Sequence, residues 1–106
     1  MADQEHLRIL RQGARAWKKW RKDNPSTIIQ LNEVNLKKSK LQRIALTRAN
    51  LRDADFSGAD LSLATLKDAF LLRANLTEAK LIEADLSSAY LLAGCRRDGN
   101  ETGTLS

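Results

Sequence analysis

Large apolar residues recur through the middle of the chain with a period of five. They stand at Leu31, Leu36, Leu41, Leu46, Leu51, Phe56, Leu61, Leu66, Leu71, Leu76, Leu81, Leu86 and Leu91, thirteen positions without an exception. Two residues before each lies a second column, Ile29, Val34, Ser39, Ile44 and then alanine at every step from Ala49 to Ala89. The other three residues of each quintet vary and are mostly polar. Self-similarity at a fixed period marks a repeat architecture and is weighed before any local propensity.

Five matches neither regular element. On an α-helix a step of five advances about 500°, so successive leucines would rotate around the axis. On a strand the same step flips the side chain to the opposite face. A chain that makes a quarter turn after each quintet keeps all of them inside. Four quintets then close a square coil of twenty residues, and coils stack through backbone hydrogen bonds. In this picture the leucine fills the middle of each side and the alanine sits near the corner, where a small side chain fits. Residues 29–93 make about three such coils.

The runs Ala49-Asn50-Leu51-Arg52-Asp53, Ala54-Asp55-Phe56-Ser57-Gly58, Ala59-Asp60-Leu61-Ser62-Leu63 and Ala84-Asp85-Leu86-Ser87-Ser88 resemble the A-[DN]-L-x-x motif of pentapeptide-repeat proteins. The resemblance implies an all-β solenoid, a right-handed quadrilateral β-helix. It is weakest in the first coil, where Ile29, Val34, Ser39 and Ile44 replace the small alanine. Bulky residues there suit a solenoid end that is packed against a lid, because terminal repeats are atypical.

Residues 1–28 supply the expected lid, an N-terminal α-helical cap. Over residues 3–23, Leu7, Leu10, Ala14, Trp17 and Trp20 form one apolar stripe at helical spacing, with most of the lysines and arginines opposite. Asn24-Pro25 ends the helix. The expected contacts of this cap are Leu7, Leu10, Trp17 and Trp20 on the helix, and Ile29, Val34 and Ile44 on the first coil. A basic amphipathic helix also suits an anionic membrane surface, but one stripe does not cap and insert at once. The segment 94–106 is polar and glycine-rich and reads as a disordered tail. It leaves the last coil open, a place where another protein or a second copy of the chain would bind.

With coils stacked, residues twenty apart lie above one another, so the sequence becomes a surface map. Phe70 and Leu72 fall beneath Tyr90 and Leu92, an outward apolar patch beside the open end and the main candidate for partner contact or self-association. Lys40, Asp60 and Lys80 make a column of alternating sign, and Arg48 lies over Asp68. Both read as surface ion pairs of small individual worth.

Composition alters this picture in two places. The net charge is +5, but residues 1–48 carry twelve Lys/Arg against four Asp/Glu, and residues 49–93 carry four against seven. The basic pole admits an anionic surface as a partner; nucleic acid is not expected. The family's acidic, DNA-like rods that engage a topoisomerase are a poor match to a short basic chain. The candidate chemistry is sparse. His6 is expected near a frayed start without companion ligands, and Cys95 is the single cysteine. Neither a metal nor a nucleophilic site follows, no cofactor is expected, and the aspartates sit on a convex exterior. The leading expectation is a non-catalytic scaffold or protein-interaction module. An adaptor piece of a larger protein and a membrane-surface protein are the alternatives. One cysteine and no apolar signal region suit a cytoplasmic setting, and the lid-plus-repeat layout resembles that of many bacterial pentapeptide-repeat proteins.

Overall fold

In the computed structural model, residues 3–90 are described. The chain begins with two short helices, α1 (Gln4–Leu10) and α2 (Ala14–Asp23), and continues as coils of twenty residues. Bridge residues pair in parallel at that spacing: Gln30 with Asn50, Asn50 with Phe70, and Phe70 with Tyr90 on one side, and likewise Asn35, Asp55 and Asn75 on the next.

The five residues of a quintet have separate tasks. In the quintet centred on Leu51, the Ala49 and Leu51 side chains are fully buried. Asn50 between them is the bridge residue and faces out. The middle of each side is therefore the outward bridge residue, flanked by the inward alanine and leucine, and not the leucine itself. This is the strand alternation of in and out compressed into three residues. The chain turns over the two residues that follow the leucine. The second of these has positive φ at corner after corner: Glu33, Lys38, Arg43, Arg48, Asp53, Leu63, Asp68, Arg73, Glu78, Glu83 and Ser88, with φ between 57° and 65°. A turn with a left-handed third residue is the type II pattern. Gly58 takes the same place with φ +69°, and a Cβ there would stand 3.2 Å from the Lys38 side chain.

In the quintet of Leu51 every backbone N–H finds an acceptor, as a buried ladder requires. Leu51 N–H donates to Phe70 C=O at 2.8 Å and Asp53 N–H to Leu72 C=O at 2.9 Å, both on the following coil. Asn50 N–H donates back to Ile29 C=O at 2.8 Å, and Ala49 N–H closes the turn onto Leu46 C=O at 3.1 Å. The fifth, Arg52 N–H, donates to the Asn50 side-chain oxygen at 3.3 Å. The same bond joins Ser57 N–H to Asp55, Ser62 N–H to Asp60, Thr77 N–H to Asn75 and Ser87 N–H to Asp85 at 2.9–3.0 Å. This gives the Asp/Asn of the repeat its physical reason: it is the acceptor for the one N–H that the coil ladder leaves over.

The core is a single column of fully buried side chains, from Ile29 and Leu31 through Phe56 to Leu76. Toward the end of the described residues it loosens, and Ala79 and Leu81 are only partly buried. Leu91, and the tail expected over 94–106, lie outside the described residues.

The N-terminal segment departs from one continuous helix. Gly13, with φ +111°, separates α1 from α2, a backbone conformation that side-chain-bearing residues rarely adopt. The break re-aims the apolar stripe. Ala14 is exposed, whereas Ile9, absent from that stripe, is buried. His6 is 5% exposed and is not at a frayed start. Asp3 holds the beginning of α1, its carboxylate accepting from Glu5 N–H at 2.9 Å, while its own N–H donates to Gln30 C=O at 2.8 Å.

Two stability measurements check this description. Leu63 is a half-exposed leucine held in the left-handed region, which costs an ordinary side chain about 1–2 kcal/mol. Leu63→Asn is expected to raise unfolding free energy by about 0.5–1 kcal/mol, since asparagine tolerates this region, and Leu63→Val to lower it. Trp17→Ala removes a side chain with no exposed surface and is expected to cost about 3 kcal/mol or more. That is several degrees or more in Tm, and an unchanged melt would contradict the packing described.

Candidate functional site

Two regions hold the residues of interest: the packing of α1 and α2 on the first coil, and the outer face that carries Phe70. In the first, Leu10, Trp17, Ile29, Val34 and Ile44 belong to one buried cluster, and Leu7 and Trp20 pack against it half-buried. Polar contacts fix the arrangement. Trp17 Nε1–H donates to Ala45 C=O at 2.7 Å. Gln30 N–H donates to His6 Nδ1 at 3.1 Å. The lone pair on Nδ1 leaves the neutral imidazole its proton on Nε2, which faces Asp3 Oδ2 at 3.6 Å. The His6 ring lies 5.0 Å from Trp20, and Trp20 stacks on Trp17 at 5.4 Å. His6 was legible only as an isolated histidine; its partner is a backbone amide twenty-four residues away, which no spacing rule signals.

On the outer face the structure stacks Phe70 on Tyr90, and Leu72 follows Phe70 by two residues at the start of the turn; Leu92 lies outside the described residues. Phe70 and Tyr90 occupy consecutive bridge positions of one side. Their rings are parallel to within 7° at 4.8 Å, which is the coil spacing. Phe70 and Leu72 are half-buried, and Tyr90 is 48% exposed. Above Phe70 the Arg52 guanidinium covers the ring at 5.0 Å, a cation–π contact absent from the sequence reading. The column continues upward in polar residues, where Asn50 donates to the Gln30 side chain at 2.9 Å. Two aromatics thus replace the Asp/Asn acceptor on this side, so the Leu72 N–H has no such side-chain oxygen beside it. Ile82 and Leu63, 68% and 39% exposed, were not singled out from sequence. They lie two sides away on the four-sided coil and do not extend the patch.

Charges on the convex surface are tied locally. Arg73 meets Asp53 on the preceding coil through two bonds, at 2.7 and 3.0 Å. This ion pair, more than the Lys40–Asp60–Lys80 column, links coils by charge; Asp60 also accepts from Gln42 at 2.9 Å. The Ser57 hydroxyl and amide hold the Asp55 carboxyl below its ordinary value, and Ser87 does the same to Asp85. The Ser62 amide lowers Asp60, and the Arg73 side chain lowers Asp53. Each of these contacts favours the ionised carboxylate over the protonated acid. Among the described residues no three His, Cys, Asp or Glu side chains gather as a metal ion would require, and no helix is long and apolar enough to cross a membrane.

Together, the twenty-residue coil, the inward alanine and leucine columns and the Asp/Asn turn acceptors define a β-solenoid built from five-residue repeats. The model of the pentapeptide-repeat family matches eight copies over residues 29–68 and 64–91, and the chain belongs to that family. No curated protein matches. Among solved structures, the chain is similar to a pentapeptide-repeat protein of the Arabidopsis thaliana thylakoid lumen. The identity is 38% and the TM-score 0.57, over 57% of this chain and 42% of that one. The chain thus matches less than half the length of that neighbour. Family and neighbour imply a right-handed β-helix, a repeat scaffold of a kind that is generally non-catalytic.

The depressed carboxyls have a consequence for acid stability. A folded-state value below the unfolded one adds stability that is complete above the ordinary carboxylate value of 3.8 and is lost as pH falls through the folded values. Thermal melts from about pH 6 to about pH 2 are expected to fall mainly below about pH 4. Asp55→Asn with Asp85→Asn, which keeps the turn acceptors but not their charge, is expected to flatten that fall. An identical slope would show that these turns do not contribute.

Proposed function

We propose that the protein is a non-catalytic scaffold that presents the face carrying Phe70, Leu72 and Tyr90 to another protein or to a second copy of itself. The observation that carries this reading is the aromatic pair. It replaces the turn acceptors of the repeat with two stacked rings, one of them half exposed, next to Leu72. Lys40, Ala45, Thr65 and Lys80 also stand at bridge positions without a turn acceptor, but among the described residues only Phe70 and Tyr90 place large apolar rings there, and adjoining outward apolar groups mark contact surfaces. In the same reading α1 and α2 close the first coil as a cap. Trp17 is buried in the core and Trp20 packs half-buried against it, which engages the apolar stripe inside the protein and disfavours a lipid-surface role for it.

The double variant Phe70→Asp with Leu72→Asp tests the proposal. Size exclusion with light scattering over a concentration series reads self-association, and affinity capture beside the wild type reads a partner. The expected result is loss of the associated species with a melt that remains cooperative. Association that persists unchanged in the folded variant would reduce the aromatic pair to a ladder contact.

A further inference from the structure

Where α2 gives way to the coil, a cleft of about 280 Å³ opens between the helix, the segment 25–29 and the first coil. Two arginines line it from different elements. Arg21 comes from the last turn of α2, and Arg48 from a left-handed corner, with φ +61°. Ser26 and Thr27 add hydroxyl-bearing side chains, Ile28 forms an exposed apolar rim, and no carboxylate lines the cleft. Asp68, beneath Arg48 on the next coil, does not line it either.

Arg21 is fixed in place: it is half-buried, and its Nη2 donates to Thr47 C=O at 3.3 Å. Burial first, and then the field of Arg48, lowers its affinity for its own proton. A cation that is partly desolvated beside a second cation is unfavourable unless an anion joins them. Arg73, elsewhere on the coil, has such a partner in Asp53; the Arg21–Arg48 pair has a cleft instead.

We propose that this cleft is an oxyanion site for a phosphate group, held between Arg21 and Arg48, which staples α2 to the first coil. Two guanidiniums carry the double positive charge that matches a phosphate dianion, and their forked donors suit its oxygens. The hydroxyls of Ser26 and Thr27 add donors of a second kind. The volume is at the lower end of ligand pockets, enough for inorganic phosphate or a monoester whose small apolar body rests on Ile28. A phosphorylated lipid headgroup presents the same chemistry.

Titration calorimetry and thermal melts with inorganic phosphate, against chloride at equal ionic strength, test the site. The wild type is expected to bind phosphate and to gain a few degrees in Tm, because a ligand of the folded state alone stabilises it. Arg48→Gln and Arg21→Gln are each expected to weaken binding by about tenfold or more, while Lys18→Gln, exposed on α2, leaves it unchanged. Without phosphate, Arg48→Gln is expected to melt no lower than the wild type, since it relieves repulsion; a purely structural arginine would cost stability there. Phenyl phosphate binding tighter than inorganic phosphate assigns a soluble monoester. Arginine-dependent co-sedimentation with phosphatidic-acid vesicles, without a response to soluble phosphate, assigns the lipid headgroup. A phosphate response no larger than that of chloride, together with no vesicle binding, overturns the site, as does a response that survives in both arginine variants.

Discussion

The whole molecule depends on one backbone constraint: the second residue after each core leucine is in the left-handed region. That residue turns the chain by a corner, so the next alanine and leucine point to the same axis as the last pair. Without it a period of five would scatter the leucines between inside and outside. With it, the coil ladder, the core column and the outward bridge residues all follow. The constraint opposes intrinsic preference, since Glu33, Arg48, Leu63 and Glu83 are not residues that choose this region. Stacking compensates. From Glu33 to Asp68 each corner N–H is tied to the following coil, as Asp53 is to Leu72, and the strain is shared along a ladder whose repeats support only their neighbours.

The same accounting explains why the surface carries information. Three of the five N–H groups are committed to adjacent coils and one to the turn, so only the N–H after the leucine depends on a side chain. Asp and Asn at the bridge position satisfy it. Wherever they are replaced, the replacement is free to serve something else. At Lys40, Ala45, Thr65 and Lys80 the replacement is polar or small, whereas Phe70 above Tyr90 sets two stacked rings on the outer face, the basis of the proposed contact surface. Ile82 is more exposed than Tyr90, yet it breaks no rule of the repeat.

The core columns were legible because thirteen large residues and a run of alanines repeat without a gap. The stacking of Phe70 with Tyr90 followed from the coil length. The corner conformation was not legible: glycine is the usual sign of positive φ, and Gly58 is the one corner that carries it. The position of the leucine within the side was misjudged for the same reason, since without the corner the outward bridge residue could not be placed. At the N-terminus the helical spacing concealed a break. Gly13 was visible, but the stripe through Ala14 looked continuous, and only the packing shows Ile9 turned inward in its place. The Arg21–Arg48 cleft brings together residues from α2 and the first coil, and a column map of the solenoid does not contain it.

The coil itself is tested most directly by nuclear Overhauser contacts in a labelled sample of the intact chain. Cross-strand contacts between backbone protons of residues twenty apart are expected along Gln30, Asn50, Phe70 and Tyr90, with Leu51 and Leu71 amide protons among the slowest to exchange. Contacts that instead connect residues three and four apart through 49–76, or leucine amides that exchange freely, would contradict the quarter-turn backbone and everything placed upon it.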